Sequence, residues 1–418
     1  MDRSALLPGP RHAASRAHSR VTTHPRDLPA GARSTDPRWR KRRRHCAEPT
    51  CPQATFTERI PQIPARHRLT VRLREAAGAA VADGGRTVLQ STRDHVVSWP
   101  IVNAAVHEHA VGALPQTDSE ARCLGIEETR RGKARWRRDE PAGEREPVVD
   151  RRHSGFVDLT GGNGLLGQVE GRNAASVRAW IEGHDEQWRD AVAFVAIDLC
   201  SIFKSAVRTS PPNAILVADR FHVAQLANQA VKDVRRRVTM QTRARRGRKG
   251  DRAWQLRNRL TRPAAATPAR PLDPLADDLR ALPTAIGAPI LTAWNCKEDL
   301  MDLLALTHTH PCRAELYRRP ELLYTSCAAS DLPEMQRPAT TVSTWRNEII
   351  AGIVSGMSNT GSEGHNRAIK TDARCANGYQ NPVNQRLRTR LATTRRGRGN
   401  LATHTSARHG QPRKYSKP

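Results

Sequence analysis

The stretch VAFVAIDLCSIFKSAVRTSPPNAILVADRFHVAQLANQAVKDVRRRV, from Val192 to Val238, restricts the fold more than any other part of the chain. FVAID and ILVAD are apolar runs of strand length, and each stops on an acid, Asp198 and Asp219. The amphipathic SIFKSAVR lies between them. After the second run, Val223, Leu226, Ala227, Ala230, Val231, Val234 and Val238 follow the 3.6-residue period of a helix, with Arg235 and Arg236 left on its outside. Strand, helix, strand, helix is the pattern of parallel strands with covering helices. Upstream, CLGIEE, HSGFVDL and GLLGQVEG have the character of three more strands, and AASVRAWIEGHDEQW that of a helix. Three consecutive strands ahead of an alternating unit predict a mixed α/β sheet from about Arg122 to Arg237. In such an order the first and fourth strands can lie side by side.

Functional side chains of α/β sheets gather at the carboxyl ends of strands. Glu127 and Glu128 end CLGIEE, and Asp198 and Asp219 end the later strands, so these acids are candidates to converge. Clustered carboxylates repel one another unless cations sit among them. Mg²⁺ takes one or two carboxylates together with phosphate oxygens and water. A pair of such ions about 3.5–4 Å apart activates an attacking oxygen and stabilises a leaving one in phosphodiester exchange. A competing role is helix capping, for which Asp198 stands well placed ahead of SIFKSAVR.

These acids stand in a chain of 418 residues with a formal net charge of +28, from 69 Lys+Arg against 41 Asp+Glu. That excess, mostly arginine, points to a polyanionic partner, and forked guanidinium groups suit phosphate. The length predicts two or three domains. No apolar run is long enough to span a membrane. The N-terminus is basic without an apolar core and small-residue cleavage site, and the eight cysteines are irregularly spaced. A cytosolic protein with reduced thiols, nucleoid-associated if bacterial, is the expectation.

Residues 1–66 are rich in Pro, Arg and Ser and are expected to be partly disordered. Within them RWRKRRRHCAEPTCP spaces Cys46 and Cys51 as half of a zinc site, but only isolated histidines such as His12, His18 and His24 precede it. A basic loop is the expectation, and the zinc site the alternative. Residues 67–115 have the pattern of three helices, the last, WPIVNAAVHEHAVGAL, opening at Ser98 with Pro100 in its first turn. This is compatible with a helix-turn-helix in the major groove. A core segment, 122–240, is followed by mostly helical sequence over 241–355, by 356–400 with SGMSNTGSEGHNRAIK and a basic run, and by a disordered tail, 401–418. Thr360 to Glu363 can form a capping box, while Glu363, Asn366 and Lys370 share one face at helical spacing.

ADRFHVAQLANQAVKDVRRRV with RGRKG downstream, LGIEETRRGKARW, GFVDLTGGNGLLGQVEGR, SNTGSEGHNRAIK and NGYQNPVNQRLRTRLATTRRGRG resemble, in order, blocks of the ISL-three family of DDE-type insertion-sequence transposases. The resemblance implies a ribonuclease H-like core with a helical insertion before its last acid. It also implies an N-terminal zinc module and helix-turn-helix that bind the element's ends. Mg²⁺ or Mn²⁺ would be held by Glu127, Asp198 and Glu363, with Asp219 a rival second acid or an additional site residue. His222 is a hydrogen-bond donor beside the site or a core histidine. Arg245, Arg246, Arg248, Lys249, Asn366, Lys370, Arg395 and Arg396 are the expected DNA contacts. The implied partner is DNA at the element's terminal inverted repeats, bound by a homo-oligomer.

Two departures stand out. Glu127 occupies the place where the family usually has aspartate, and one extra methylene displaces the carboxylate by roughly 1 Å. Glu128 cannot substitute, since it faces the opposite side of a strand. The first half of the zinc module is missing, so residual Zn²⁺ binding would fall on Cys46 and Cys51 alone. Both changes fit a decayed copy that binds DNA with impaired catalysis. A basic RNA-associated protein is the reading from another class, and 4% aromatic residues disfavour it because stacking platforms need them.

Overall fold

The computed structural model describes residues 14–398 apart from 31–32, 34, 47–54, 116–119, 131–134, 139–144, 150, 212, 264–273, 308 and 377. These form two compact units, 1–117 with 368–418, and 118–367.

In the first unit β1 (Ala14–Thr23), β2 (Trp39–Cys46) and β3 (Thr55–Thr57) make an antiparallel sheet. WRKRRRHC, expected as a loop, is therefore a strand. Its backbone is satisfied by β1 on one side and β3 on the other, and pairing, not apolar alternation, holds it. Cys46 ends β2, while Cys51 lies outside the described residues. Then come α1 (Val71–Ala82), α2 (Val88–His95) and α3 (Trp99–Ala113), the three helices expected. Thr70 caps the first, and Thr87 and Gln90 close a capping box on the second. Leu73, Val81, Val102 and Val106 form their core, and Leu391 of α15 (Pro382–Arg398) completes it.

The second unit is mixed α/β. Its sheet contains β4 (Cys123–Arg130), β7 (Arg152–Asp158), β8 (Leu165–Glu170), β9 (Phe194–Ile197) and β10 (Ile215–Ala218), in spatial order β10-β9-β4-β7-β8. The first three strands in sequence are antiparallel, and the last two run parallel to β4. The first and fourth strands thus lie side by side, with Leu124 opposite Val195 and Ile126 opposite Ile197. Between β4 and β7 a hairpin, β5 (Arg135–Arg138) and β6 (Arg145–Val149), adds strands that the Arg- and Pro-rich sequence did not signal. The helix expected over AASVRAWIEGHDEQW is two, α4 (Ala174–Glu182) and α5 (Glu186–Ala191), because Asp185 starts a new helix by accepting from Trp188 N–H.

After β9 come α6 (Ser201–Val207), β10, and the long α7 (Arg220–Arg243). Helical sequence follows as α8 (Arg252–Gln255), α9 (Pro274–Arg280), α10 (Thr284–Ala305), α11 (Arg313–Ala329), α12 (Pro333–Thr344) and α13 (Arg346–Ser355). Helices α10 and α12 pack on α7, and α13 packs on β10. Covered on several sides, α7 buries Arg235 at 7% exposure, whereas its period alone put that residue outside. The chain leaves α13 at Gly356, whose φ of 71° suits a glycine, and turns into α14 (Thr360–Cys375). The division between the units falls within α14, after Arg367. None of the described helices is long and apolar enough to cross a membrane.

Candidate active site

Alternation along β4 sends Leu124 and Ile126 into the apolar core and Gly125 and Glu127 to the other face. There they meet the turn entering α14. A Cβ built on Gly125 would lie 2.3 Å from Ser362 Oγ and 2.7 Å from Asn359 Oδ1, so only a glycine lets these residues approach. Two residues on, Glu127 is buried at 3% exposure. The fully buried Asn359 amide donates to Glu127 Oε1 at 3.4 Å and to Asp198 Oδ1 at 3.3 Å. A single amide thus spans two carboxylates that are 71 residues apart in sequence.

Asp198 follows β9 and does not cap the next helix. The cap position of α6 is Cys200, which makes no side-chain capping bond, and the backbone N–H of Cys200 donates to the Asp198 carbonyl at 2.6 Å. The Asp198 carboxylate is left for the cluster. Asp219 has both roles: fully buried, it caps α7 through Phe221 N–H at 3.4 Å and accepts from His222 Nδ1 at 2.8 Å. The same imidazole nitrogen stands 3.2 Å from Asp198 Oδ1. Donor atoms of Asp198, Asp219 and His222 all lie within 4.8 Å of one another, a spacing that can hold a metal ion.

Glu363 sits in the first turn of α14. Thr360 is already inside that helix and its hydroxyl meets Ser358 Oγ at 2.9 Å, so it is not the cap of a Thr360–Glu363 box. Glu363 is near enough to raise the pKa values of both Glu127 and Asp198. Of the five acids considered from sequence, the structure links Glu127, Asp198 and Asp219 through Asn359 and His222, with Glu363 close enough to act on two of them, and leaves out Glu128.

Electrostatics here are those of a site short of positive charge. Burial, and then the Asp198 charge, push Glu127 up to about 8, with Glu363 and Asp219 adding and His222 opposing. Burial likewise raises Asp198, against the pull of His222 and Asn359. His222 is raised to about 8, chiefly by its hydrogen bond to Asp219. Glu127 Oε2, Asn359 Oδ1 and Ser362 Oγ are buried without hydrogen-bond partners. Unpartnered buried oxygens among repelling carboxylates form a donor set that suits a hard divalent cation.

Beside the acids opens a cleft of about 850 Å³, reached by Asp198, His222, Phe221, Arg172, Lys232 and Arg337. Glu128 lines it from the opposite side of β4 to Glu127, as its place in the strand requires, and lies 3.1 Å from Arg172 Nε. Sequence reasoning passed over Asn359, Ser362, Gly125 and Arg172. The first two stand in the very SNTGSE run that supplied Glu363, but only contact with β4 marks them.

The cations expected on DNA fare differently. Arg245 is paired with Asp251 at 2.8 Å, and the backbone N–H of Arg248 donates to the same carboxylate. Arg246, the Arg248 side chain and Lys249 are exposed. Asn366 is half-buried on α14, and Lys370 further along that helix is exposed. Arg395 donates to the carbonyl of Ala82, and the Arg396 side chain lies outside the described residues.

Residues 139–389 match a family model described as a transposase, of the DDE-type ISL-three group. Glu127 and the strand that carries it precede the matched span. No curated protein matches the sequence. Among solved structures, a chain of the Drosophila P element transposase strand transfer complex is similar at a TM-score of 0.40 and 9% identity, over 77% of this chain and 92% of that one. That likeness is too distant to bear on function.

Proposed function

The chain belongs to the transposase family matched over residues 139–389, and from that premise we propose that it cuts and joins DNA strands with divalent ions held by Glu127, Asp198 and Glu363. The observation that carries this reading is the Asn359 amide shared by Glu127 and Asp198, with Glu363 and the Asp219–His222 pair alongside. The strand order, three antiparallel strands followed by two parallel ones beside the first, supports a ribonuclease H-like core. In that core, acids on the first and fourth strands meet, which favours Asp198 as the second catalytic acid and Asp219 as an auxiliary one. Residues 241–355 are then the helical insertion, and α1 to α3 a helix-turn-helix that docks on the element's terminal repeats. A homo-oligomer on DNA follows from the same reading.

Mg²⁺ or Mn²⁺, when bound, lowers the pKa of the attacking oxygen and offsets charge on the leaving one. The chain's own residues prepare for this. Asn359 fixes the spacing of Glu127 and Asp198, and Gly125 gives it room to do so. Asp219 orients His222 through Nδ1, so that a protonated ring faces Asp198 and balances the acids. Arg172, Lys232 and Arg337 line the cleft as partners for strand phosphates.

The test is nicking of supercoiled DNA bearing the element's ends, in Mg²⁺ or Mn²⁺. Weak metal-dependent nicking that Asp198→Asn abolishes is expected. Undiminished nicking by Asp198→Asn would overturn the assignment. A second reading, an impaired copy that only occupies the repeats, is favoured by glutamate at position 127. It gains if neither this chain nor Glu127→Asp nicks DNA while repeat-selective binding survives raised salt.

A further inference from the structure

Helix α7 carries a second polar feature that the acid cluster does not use. Arg235 is 7% exposed, its Nε is buried without a hydrogen-bond partner, and among the described residues no carboxylate pairs with it. It lines a cavity of about 580 Å³ together with Arg236, Arg246, Arg257, Gly247 and Trp254. The Arg257 guanidinium lies 3.4 Å over the Trp254 ring and donates to the Trp254 carbonyl at 3.1 Å, which fixes its direction. Gly247 borders the Arg235 guanidinium, since a Cβ built there would stand 3.5 Å from its Nη1.

Nearby acids are committed elsewhere. Asp251 takes Arg243, Arg245 and the Arg248 N–H, and Asp278 takes Arg252 and Arg259. Asp233 pairs with Arg236 on the exposed side at 3.1 Å. Burial, then the charges of Arg236 and Arg257, lower the pKa of Arg235. A buried guanidinium with like charges around it and no counter-ion is costly, and a bound anion would offset that cost. Forked N–H donors from several arginines match the oxygens of a phosphate group.

We propose that this cavity is a phosphate-binding site separate from the acid cluster, with Arg235 at its base and Arg246 and Arg257 completing the shell around a phosphate of a nucleic-acid strand or of a nucleotide. The site rests on its own residues and does not depend on catalysis at Asp198.

The experiment is a thermal-melt titration of the full chain with inorganic phosphate against chloride at matched ionic strength. A saturable rise of about 2–4 °C at tenfold over the dissociation constant is expected for the unaltered chain. It should disappear in Arg235→Gln and in the exposed-site variant Arg246→Gln, and persist in Asp198→Asn. Far-UV circular dichroism in chloride reads folding, and Arg246→Gln keeps the test intact if Arg235→Gln unfolds. Two further arms separate the sources. If a strand phosphate fills the site, Arg246→Gln weakens DNA binding and lowers the slope of log affinity on log salt by about 1. If a nucleotide fills it, nucleoside triphosphate binding is lost and DNA affinity is unchanged. No rise beyond the chloride control, or an equal rise in Arg246→Gln, overturns the proposal.

Discussion

Replacing Glu127 with glutamine in the metal-free protein should make it more stable, and increasingly so as pH rises. The carboxyl is 3% exposed with one oxygen unpartnered, and its pKa is displaced from 4.5 to about 8. Below pH 4.5 the folded and unfolded chains both hold the proton, and the group costs nothing. Above it the unfolded chain releases the proton first, so stability falls until about pH 8 and then levels off. At ~1.4 kcal/mol for each tenfold change in proton affinity, the displacement sets a ceiling of about 5 kcal/mol, and water entering the site brings the expected loss to roughly 2–3 kcal/mol. Glutamine has the shape of the protonated acid and escapes this loss. His222, raised from 6.5 to about 8, contributes stability that is full below 6.5 and lost through about 8, and it leaves a shallower slope in the variant. Calorimetry in EDTA should show equal midpoints near pH 4.5 and a rise of roughly 4–12 °C for Glu127→Gln at pH 8.5, at about 2–4 °C per kcal/mol. An unaltered or lower midpoint at pH 8.5 would refute the picture of a buried carboxylate short of a cation.

Glu127→Asp, which shortens the side chain to the length usual in the family, should raise metal-dependent nicking by about tenfold or more, read on supercoiled DNA. Gly125→Ala should cost about 1–3 kcal/mol in denaturant melts and weaken Mn²⁺ binding, since its Cβ displaces Ser362 and Asn359 from β4. In the first unit the Arg72 guanidinium holds the Asp27 carboxyl well below the usual carboxylate range, with Thr70 also donating to it. Its contribution is therefore present above the ordinary carboxylate pKa and lost as pH falls through the depressed value, and Asp27→Asn should melt with a weaker dependence on acidification below pH ~4.

Much of the second unit was legible because its strands are short apolar runs and its helices keep one period. Element order allowed β4 to lie beside β9 and left Glu127 and Asp198 as candidates to meet, and the structure pairs the two strands. Less legible was whatever depends on partners distant in sequence. Strand β2 carries arginine where a sheet normally shows alternation, and only its pairing with β1 and β3 makes it a strand. Arg235 falls outside the apolar period of α7, yet contacts that no period foretells bury it. Asn359 and Ser362 look like ordinary turn residues until Gly125 brings them against β4. The choice between cap and cluster for Asp198 was open in sequence, and was decided by the cap position of α6 falling on Cys200.

Mn²⁺ binding to the full chain, followed by electron paramagnetic resonance without DNA, is the most direct test of the acid cluster. Saturable binding that is lost in Asp198→Asn and Glu127→Gln, with both variants folded, is the predicted result. Equal binding by the unaltered chain and both variants would show that these carboxylates do not form the ion site.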